Sequence, residues 1–163
     1  MTGINEILTF KSLFLSLVQE KYMRNCNTDK SALTWEQLVP GQEFSPVTYQ
    51  MTESVVSKYL KSVDRFDEWQ SSSMSEYVPP MAIAACAMSV MSKLFIMPAG
   101  AIHTSEELQF YKPVPIGAIV SCHAKIGRKL GRGKFQMLTL EMDIINDYSE
   151  RVVSGQTSII LTS

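Results

Sequence analysis

The sequence predicts an α+β fold in which a curled antiparallel sheet wraps around one long buried helix. The helix is predicted over residues 81–95, which are apolar nearly all round the helix and rich in alanine. The sheet is predicted from the C-terminal third of the chain, where apolar and polar residues alternate with the period of a strand. The length of 163 residues suits a single domain with a substantial core.

Each strand predicted after the helix has one apolar face. In the first two strands these faces consist of Val120, Cys122, Ala124, Ile126, Leu138, Leu140, Met142 and Ile144. The glycines of GRKLGRGK mark a hairpin tip, and RVVSGQTSIIL is predicted as the final strand. Alternation places His103 on the face of Glu107, and His123 on a wet face where its cross-strand contact is Glu141. We therefore expect His123 to be a structural residue of the sheet.

The region before the helix contains a short strand, EFSPVTYQ, and a shorter helix. Thr52 is a plausible N-cap of that helix, and Glu53 complements its dipole. SVDRFDEWQSSS follows and is predicted as a polar loop. Pro80 suits the first position of the long helix, where its missing N–H leaves no hydrogen bond unmade.

Residues 1–34 are predicted as an N-terminal helical extension and residues 35–163 as one domain. Within the extension, residues 4–24 are amphipathic and too short and interrupted to span a membrane. This helix packs on its own domain, on a second subunit or on a membrane surface. The net charge of −1 argues against nucleic-acid binding. Three scattered cysteines and two histidines offer no metal or cofactor site, and free thiols suit the cytoplasm.

Several segments resemble the MaoC-like dehydratase family, in particular its N-terminal, fatty-acid-synthase-type subgroup. They are FSPVTYQMTESVVSKYLKSVD, EYVPPMAIAACAMSVM and IHTSEELQFYKPVPIGAIVSCHAKI, in the family's order. The resemblance covers residues 35–163. It implies a hotdog fold, pairing of two hotdog subunits into a joined sheet, and a thioester ligand on coenzyme A or acyl carrier protein.

Active members of this family carry an Asp and a His five residues apart, and the pair adds or removes water across a 2-enoyl thioester. Asp64 matches the position of the Asp, but Trp69 stands where the His belongs. Asp64 is therefore either a surviving catalytic base or a polar residue that ends a helix. Trp69 is expected to line or close the thioester tunnel. Tyr77 and Glu76 are alternative proton donors, and the resemblance places His103 on the sheet as a substrate contact.

The beginning of the long helix is a second candidate site. After Pro79 and Pro80, the backbone N–H groups of Met81, Ala82 and Ile83 are expected to lack partners within the helix. A thioester carbonyl placed there would be polarised by these donors and by the helix dipole. The alternative is that the small residues only allow the helix and the sheet to approach.

The hairpin tip is basic, which suggests a clamp for the phosphates of coenzyme A or for an acidic carrier protein through Arg128, Lys129 and Arg132. The alternative is a solvated tip. Three functions remain: a non-catalytic subunit beside a catalytic one, a dehydratase with altered catalytic groups, and a thioesterase that uses Asp64, Glu76 or Glu53. The missing His favours the first.

Overall fold

The computed structural model describes residues 34–94, 101–133 and 135–162. The predicted N-terminal helix lies outside these residues, and of the extension at 1–34 only Thr34 is described. A 3₁₀ turn at Trp35–Gln37 opens the described chain. No helix in the described ranges has the length and hydrophobicity needed to cross a bilayer.

Within the described residues, three α-helices precede the last four strands of the sheet. Helix α1 spans Glu53–Ser62, α2 spans Phe66–Gln70 and α3 spans Pro80–Leu94. The Thr52 side chain caps α1 by accepting a hydrogen bond from the Val55 N–H at 3.4 Å, as the sequence predicts. Helix α2 corrects the prediction that residues 62–73 form a loop.

Five strands form one antiparallel sheet: β1 (Val47–Gln50), β2 (Ile102–Phe110), β3 (Ile119–Arg132), β4 (Phe135–Asn146) and β5 (Arg151–Thr162). Their spatial order is β1-β3-β4-β5-β2, so β1 and β2 are the edges. Strand β1 is shorter than predicted because Pro46 has no N–H for the ladder; Glu43 makes only an isolated bridge to Lys125. Strand β3 continues through most of the predicted hairpin tip and ends at Arg132.

The inner face of the sheet packs on α3, which confirms the predicted fold class. Residues Ala82–Ala85 of α3 are buried, as are Ala87 and Ser89. The Thr157 hydroxyl of β5 lies 3.5 Å from the Met88 sulfur, and the hydroxyls of Tyr49 and Ser89 lie 3.4 Å apart. The predicted inner faces of β3 and β4 are both buried. From Ala82 to Ser89 the helix is therefore buried or half-buried, which explains why this part is apolar on most of its circumference.

A β-bulge between His103 and Ser105 shifts the alternation of β2. His103 is opposite Ile159 and Glu106 is opposite Thr157, and both of these β5 residues are buried. Because directly opposite residues share a face, His103 shares the inner face with Glu106. The prediction that His103 shares its face with Glu107 is wrong, since a single sequence shows no bulge.

Candidate functional site

Asp64 ends helix α1. Its backbone is in the left-handed region, at φ 54°, which short polar residues such as Asp tolerate. The N–H of Arg65 donates to the Leu60 carbonyl at 2.9 Å, which closes the last turn. The Asp64 side chain is exposed. These features account for Asp64 as a helix-ending residue, one of the two roles left open by the sequence.

Helix α2 is stabilised by its own short-range contacts. Arg65 forms an ion pair with Glu68, and this hydrogen bond raises the pKa of the guanidinium. The hydroxyl of Ser71 donates to the Asp67 carbonyl at 2.8 Å, and the hydroxyl of Ser72 donates to the Trp69 carbonyl at 2.7 Å. The charged residues and serines of this stretch thus form hydrogen bonds at the two ends of a five-residue helix, which explains why they are there.

Trp69 is half-buried and packs against the hydrophobic core. Its indole Nε1 is covered, yet it has no hydrogen-bond partner among the described residues. The residue five positions after Asp64 therefore combines an apolar surface with a single unpaired donor. An indole N–H donates a hydrogen bond but acts as neither a general acid nor a general base near neutral pH.

The segment before α3 pairs with the proline-rich turn that precedes β3. The Val78 N–H donates to the Val114 carbonyl at 2.8 Å, and the Ile116 N–H donates to the Glu76 carbonyl at 3.0 Å. Tyr77 lies between these bonds and is half-buried, whereas the side chain of Glu76 is exposed. The two prolines and this pairing fix where α3 begins.

The start of α3 differs from the predicted row of three free donors. The Ala82 N–H donates to the Pro79 carbonyl at 2.8 Å, so the expectation is wrong for Ala82. Pro79 directly precedes the helix, and its carbonyl accepts this hydrogen bond from the first turn. Pro80 and Met81 are exposed, and the side chains of Ala82 and Ile83 are buried.

The two histidines lie on opposite faces of the sheet. His103 Nε2 is 3.8 Å from Glu106 Oε2 on the inner face. Burial raises the pKa of Glu106, and the neighbouring His103 lowers it by a smaller amount. His123 is on the outer face as predicted, but it is opposite Asp143, while Glu141 is opposite Lys125 and 3.0 Å from its ammonium. Unbroken alternation would place Glu106 on the face opposite His103, so the sequence alone does not single it out.

Lys129 in the basic hairpin already has two partners within the chain. Its ammonium donates to the Leu38 carbonyl at 2.8 Å and lies 4.7 Å from the centre of the Trp35 ring. Arg128 and Arg132 are exposed and form no ion pair with another described residue. Of the three predicted clamp residues, the two arginines are available for an outside ligand.

The hairpin is far from the beginning of α3 within one chain. The Gly117 N–H donates to the Met51 carbonyl near the start of β3, close to the turn that holds Val78. At about 3.3 Å per residue, Arg128 lies roughly 30 Å along β3 from Ile119. A clamp at the hairpin therefore fits a ligand bound elsewhere, for example at a second subunit, better than one at its own α3.

The cysteines, the potential metal ligands and one surface depression bear on which reactions and ligands this chain supports. Burial raises the pKa of Cys86 to about 11 and that of Cys122 to about 12, so both thiols stay protonated and unreactive at neutral pH. The described residues contain no group of three or more potential metal ligands. An open depression of about 290 Å³ on the outer face is lined by Glu107, Glu141 and Asp143. Glu141 is paired with Lys125 and Asp143 with Arg151, which offsets part of the negative charge there.

No protein-family model matches the sequence, and no curated protein matches it significantly. Solved structures match the fold. R-hydratase PhaJ1 from Pseudomonas aeruginosa aligns with a TM-score of 0.65 and 18% identity over 81% of this chain and 87% of that one. The MaoC-like dehydratase from Rhodospirillum rubrum gives a TM-score of 0.61 and 15% identity over 78% and 94% of the two chains.

The HadBC complex from Mycobacterium tuberculosis, described as a 3R-hydroxyacyl-ACP dehydratase, gives a TM-score of 0.62 and 16% identity over 75% and 96% of the two chains. These similarities confirm the predicted hotdog fold of MaoC-like dehydratases and R-hydratases. At such low identities they establish the fold alone.

Proposed function

We propose that this chain binds an acyl thioester of coenzyme A or acyl carrier protein together with a second hotdog subunit. It takes part in 2-enoyl thioester hydration or 3-hydroxyacyl dehydration as a subunit without a working Asp/His pair. The observation that carries the proposal is the state of that pair. Asp64 is exposed and ends a helix, and a half-buried Trp69 occupies the position of the His.

The chemistry explains why this pair cannot work alone. Adding water to an enoyl thioester requires one group to take a proton and another to deliver one. The indole of Trp69 does neither, and an exposed carboxylate has no matched acid beside it. General acid–base catalysis typically contributes about 10²–10⁴-fold, so we expect a rate deficit of that size relative to a subunit with an intact pair.

The exposed edge strand β2 supports the proposal that a second subunit binds. Its residues are exposed along most of the strand; Leu108 is half-buried, and the side chain of Glu106 is only 23% exposed. An exposed edge presents unpaired N–H and C=O groups that another strand can pair with. The HadBC structure that this fold matches is itself a complex. A partner strand for this edge is available in a homodimer and in a heterodimer alike.

A second candidate function is an active dehydratase with altered catalytic groups. The observation that favours it is the His103–Glu106 pair, which lies on the inner face at 3.8 Å. A histidine beside a carboxylate is a common proton-handling arrangement. No comparable observation favours a thioesterase, because the side chains of Asp64, Glu53 and Glu76 are all exposed.

The test is a hydration assay with crotonyl-CoA on the purified chain, alone and mixed with a hotdog subunit that carries an intact Asp/His pair. We expect slow or no turnover by the chain alone, and no effect of Asp64→Asn, since Asn also tolerates the left-handed turn. The thioester should raise the melting temperature of the chain by mass action on the folded state.

Three outcomes would change the assignment. Fast hydration by the isolated chain that is lost in Asp64→Asn would make Asp64 the base and require a donor such as Tyr77. Activity lost in His103→Ala and in Glu106→Gln would favour the altered constellation. No change in melting temperature with saturated or 2-enoyl thioesters, alone or with the second subunit, would contradict thioester binding.

A further inference from the structure

The outer face of the sheet is polar along the middle of its strands. Side chains there meet in pairs across neighbouring strands. The Lys125 ammonium lies 3.0 Å from the Glu141 carboxylate, and the hydroxyls of Thr139 and Ser158 lie 3.1 Å apart. These rows of side chains are satisfied by one another and by water.

One row of the outer face, nearer the β3–β4 hairpin, is apolar across four strands. Leu130 is opposite Met137, and Met137 is opposite Ile160. Ile160 is in turn opposite Ile102 of β2, and these four residues form what we call the apolar row. Buried residues follow Met137 and flank Ile160 along their strands, so the row points away from the core. Leu130 and Ile102 are exposed at 50% and 52%, and Phe135 beside the row is exposed at 67%.

A continuous apolar surface with a polar border is typical of an interaction site. The described chain begins next to it. The Trp35 ring lies 4.7 Å from the Lys129 ammonium, and a Cβ atom at Gly131 would lie 3.9 Å from the same ring. Strand β1 pairs with residues 119–122 of β3, and no described strand pairs with that side of residues 128–132. The chain that precedes Trp35 can therefore pass round this edge to the outer face.

We propose that residues 4–24 of this chain cover the apolar row as the amphipathic helix that the sequence predicts. The residues predicted on its apolar side are Ile7, Leu8, Phe14, Leu15 and Val18. A helix of this length is about 31 Å long, whereas the row crosses only about 14 Å of sheet. Residues 25–33 span up to about 30 Å when extended, which is enough to pass the edge of β3.

The link to the domain favours this segment over other occupants. A short tether typically gives an effective concentration on the order of millimolar, well above the micromolar concentration of a second copy in solution. The proposal concerns the packing of the chain and does not depend on thioester binding. None of its tests contains a thioester, so their failure leaves the proposed function standing.

Disulfide trapping in the full chain tests the contact. Cys26→Ser first removes the cysteine that lies between the helix and the domain. Three variants of that chain combine Met137→Cys with Leu8→Cys, Leu15→Cys or Val18→Cys. A disulfide requires Cα atoms within about 7 Å of each other. After mild oxidation, we expect peptide mapping to find a disulfide within one chain for at least one of these pairs.

Two control pairs should form no disulfide. Ser16→Cys with Met137→Cys uses the predicted polar side of the same helix. Leu15→Cys with Ser154→Cys uses the outer face about 20 Å along the sheet from the apolar row. Equal trapping in these controls would show random collision and would overturn the proposal.

Trypsin measures how often the segment leaves the sheet. We expect cleavage after Lys11 and Lys21 to be slower than after Lys30, which precedes the domain. Met137→Asp should accelerate cleavage after Lys11 about tenfold relative to Lys30, because a carboxylate under the helix disfavours the closed form and proteolysis follows the open one. Thr139→Asp, two residues along the same face, is the matched control and should leave the ratio unchanged.

Other occupants give different results. A disulfide between two chains, seen as doubled mass on a non-reducing gel, assigns the row to a second copy and overturns the proposal. Protection of Lys11 only with vesicles of phosphatidylcholine and phosphatidylglycerol assigns the segment to a membrane and also overturns it. So does the absence of a disulfide in all three pairs. If Met137→Asp does not fold, the disulfide pairs still decide.

Discussion

The Nε2 atom of His103 lies 3.8 Å from Oε2 of Glu106, although a regular strand would put residues three apart on opposite faces. The bulge next to His103 brings them together on the inner face of the edge strand β2. Burial there raises the pKa of Glu106, and His103 offsets part of that increase. We therefore expect the free energy of unfolding to depend on pH through the Glu106 carboxyl.

Glu106 should make the chain less stable as the pH rises above the ordinary pKa of a glutamate, 4.5. Its pKa is raised in the folded chain, so the folded state keeps the proton where the unfolded state has lost it. The free energy of unfolding then decreases with pH through that interval. Glu106→Gln should flatten the decrease in thermal melts between about pH 4 and 6. Glu107→Gln, on the outer face, is the control; an equal effect of both variants would contradict the assignment.

Lys129→Met should lower the free energy of unfolding by about 1–3 kcal/mol, since it removes a charged hydrogen bond and a cation–π contact while keeping the apolar stem. The lost partners are the Leu38 carbonyl at 2.8 Å and the Trp35 ring at 4.7 Å. Urea denaturation measures the change. Arg132→Met, at an exposed position of the same hairpin, should stay within about 0.5 kcal/mol. Equal losses in the two variants would show that Lys129 is not a structural anchor.

Gly155→Ala should destabilise the pairing of β2 with β5. A Cβ atom at Gly155 would lie 2.6 Å from Leu108 Cδ2 and 2.7 Å from the Glu107 carbonyl oxygen. Such overpacking typically costs about 1–3 kcal/mol, and chemical denaturation should show it. At Gly131 the same atom meets only the Trp35 ring at 3.9 Å, so Gly131→Ala is the matched control and should be close to neutral. If Gly155→Ala leaves the free energy of unfolding unchanged, β2 moves to make room for the Cβ atom at little energetic cost.

The chain should assemble beyond a monomer. No strand of the described part of the chain pairs with the outer side of β2, and Ile102 and Phe110 on it are exposed at 52% and 41%. Light scattering at micromolar concentration should therefore give a mass above 18.3 kDa, either for the chain alone or with a second hotdog subunit. A single species of 18.3 kDa under both conditions would contradict the proposed assembly.

The periodicity of the sequence predicted the long helix and the central strands of this fold, but it missed the short helix α2. The all-round apolar character of residues 81–95 predicted the enclosed helix α3, and alternation predicted the buried faces of β3 and β4. Thr52 was recognised as a cap from its position before a helical pattern. These features are local, because side-chain direction in a helix or strand follows from spacing along the chain.

The contacts of several polar residues were determined by the tertiary structure and not by the local sequence. The bulge beside His103, the role of β2 as an edge, and the contact of Lys129 with Leu38 all depend on which distant segments pair and in which register. The unpaired N–H of Trp69 is visible only once its neighbours in space are known. Register and burial arise from contacts between residues far apart in sequence, and a one-residue shift in pairing reverses the face of every side chain beyond it.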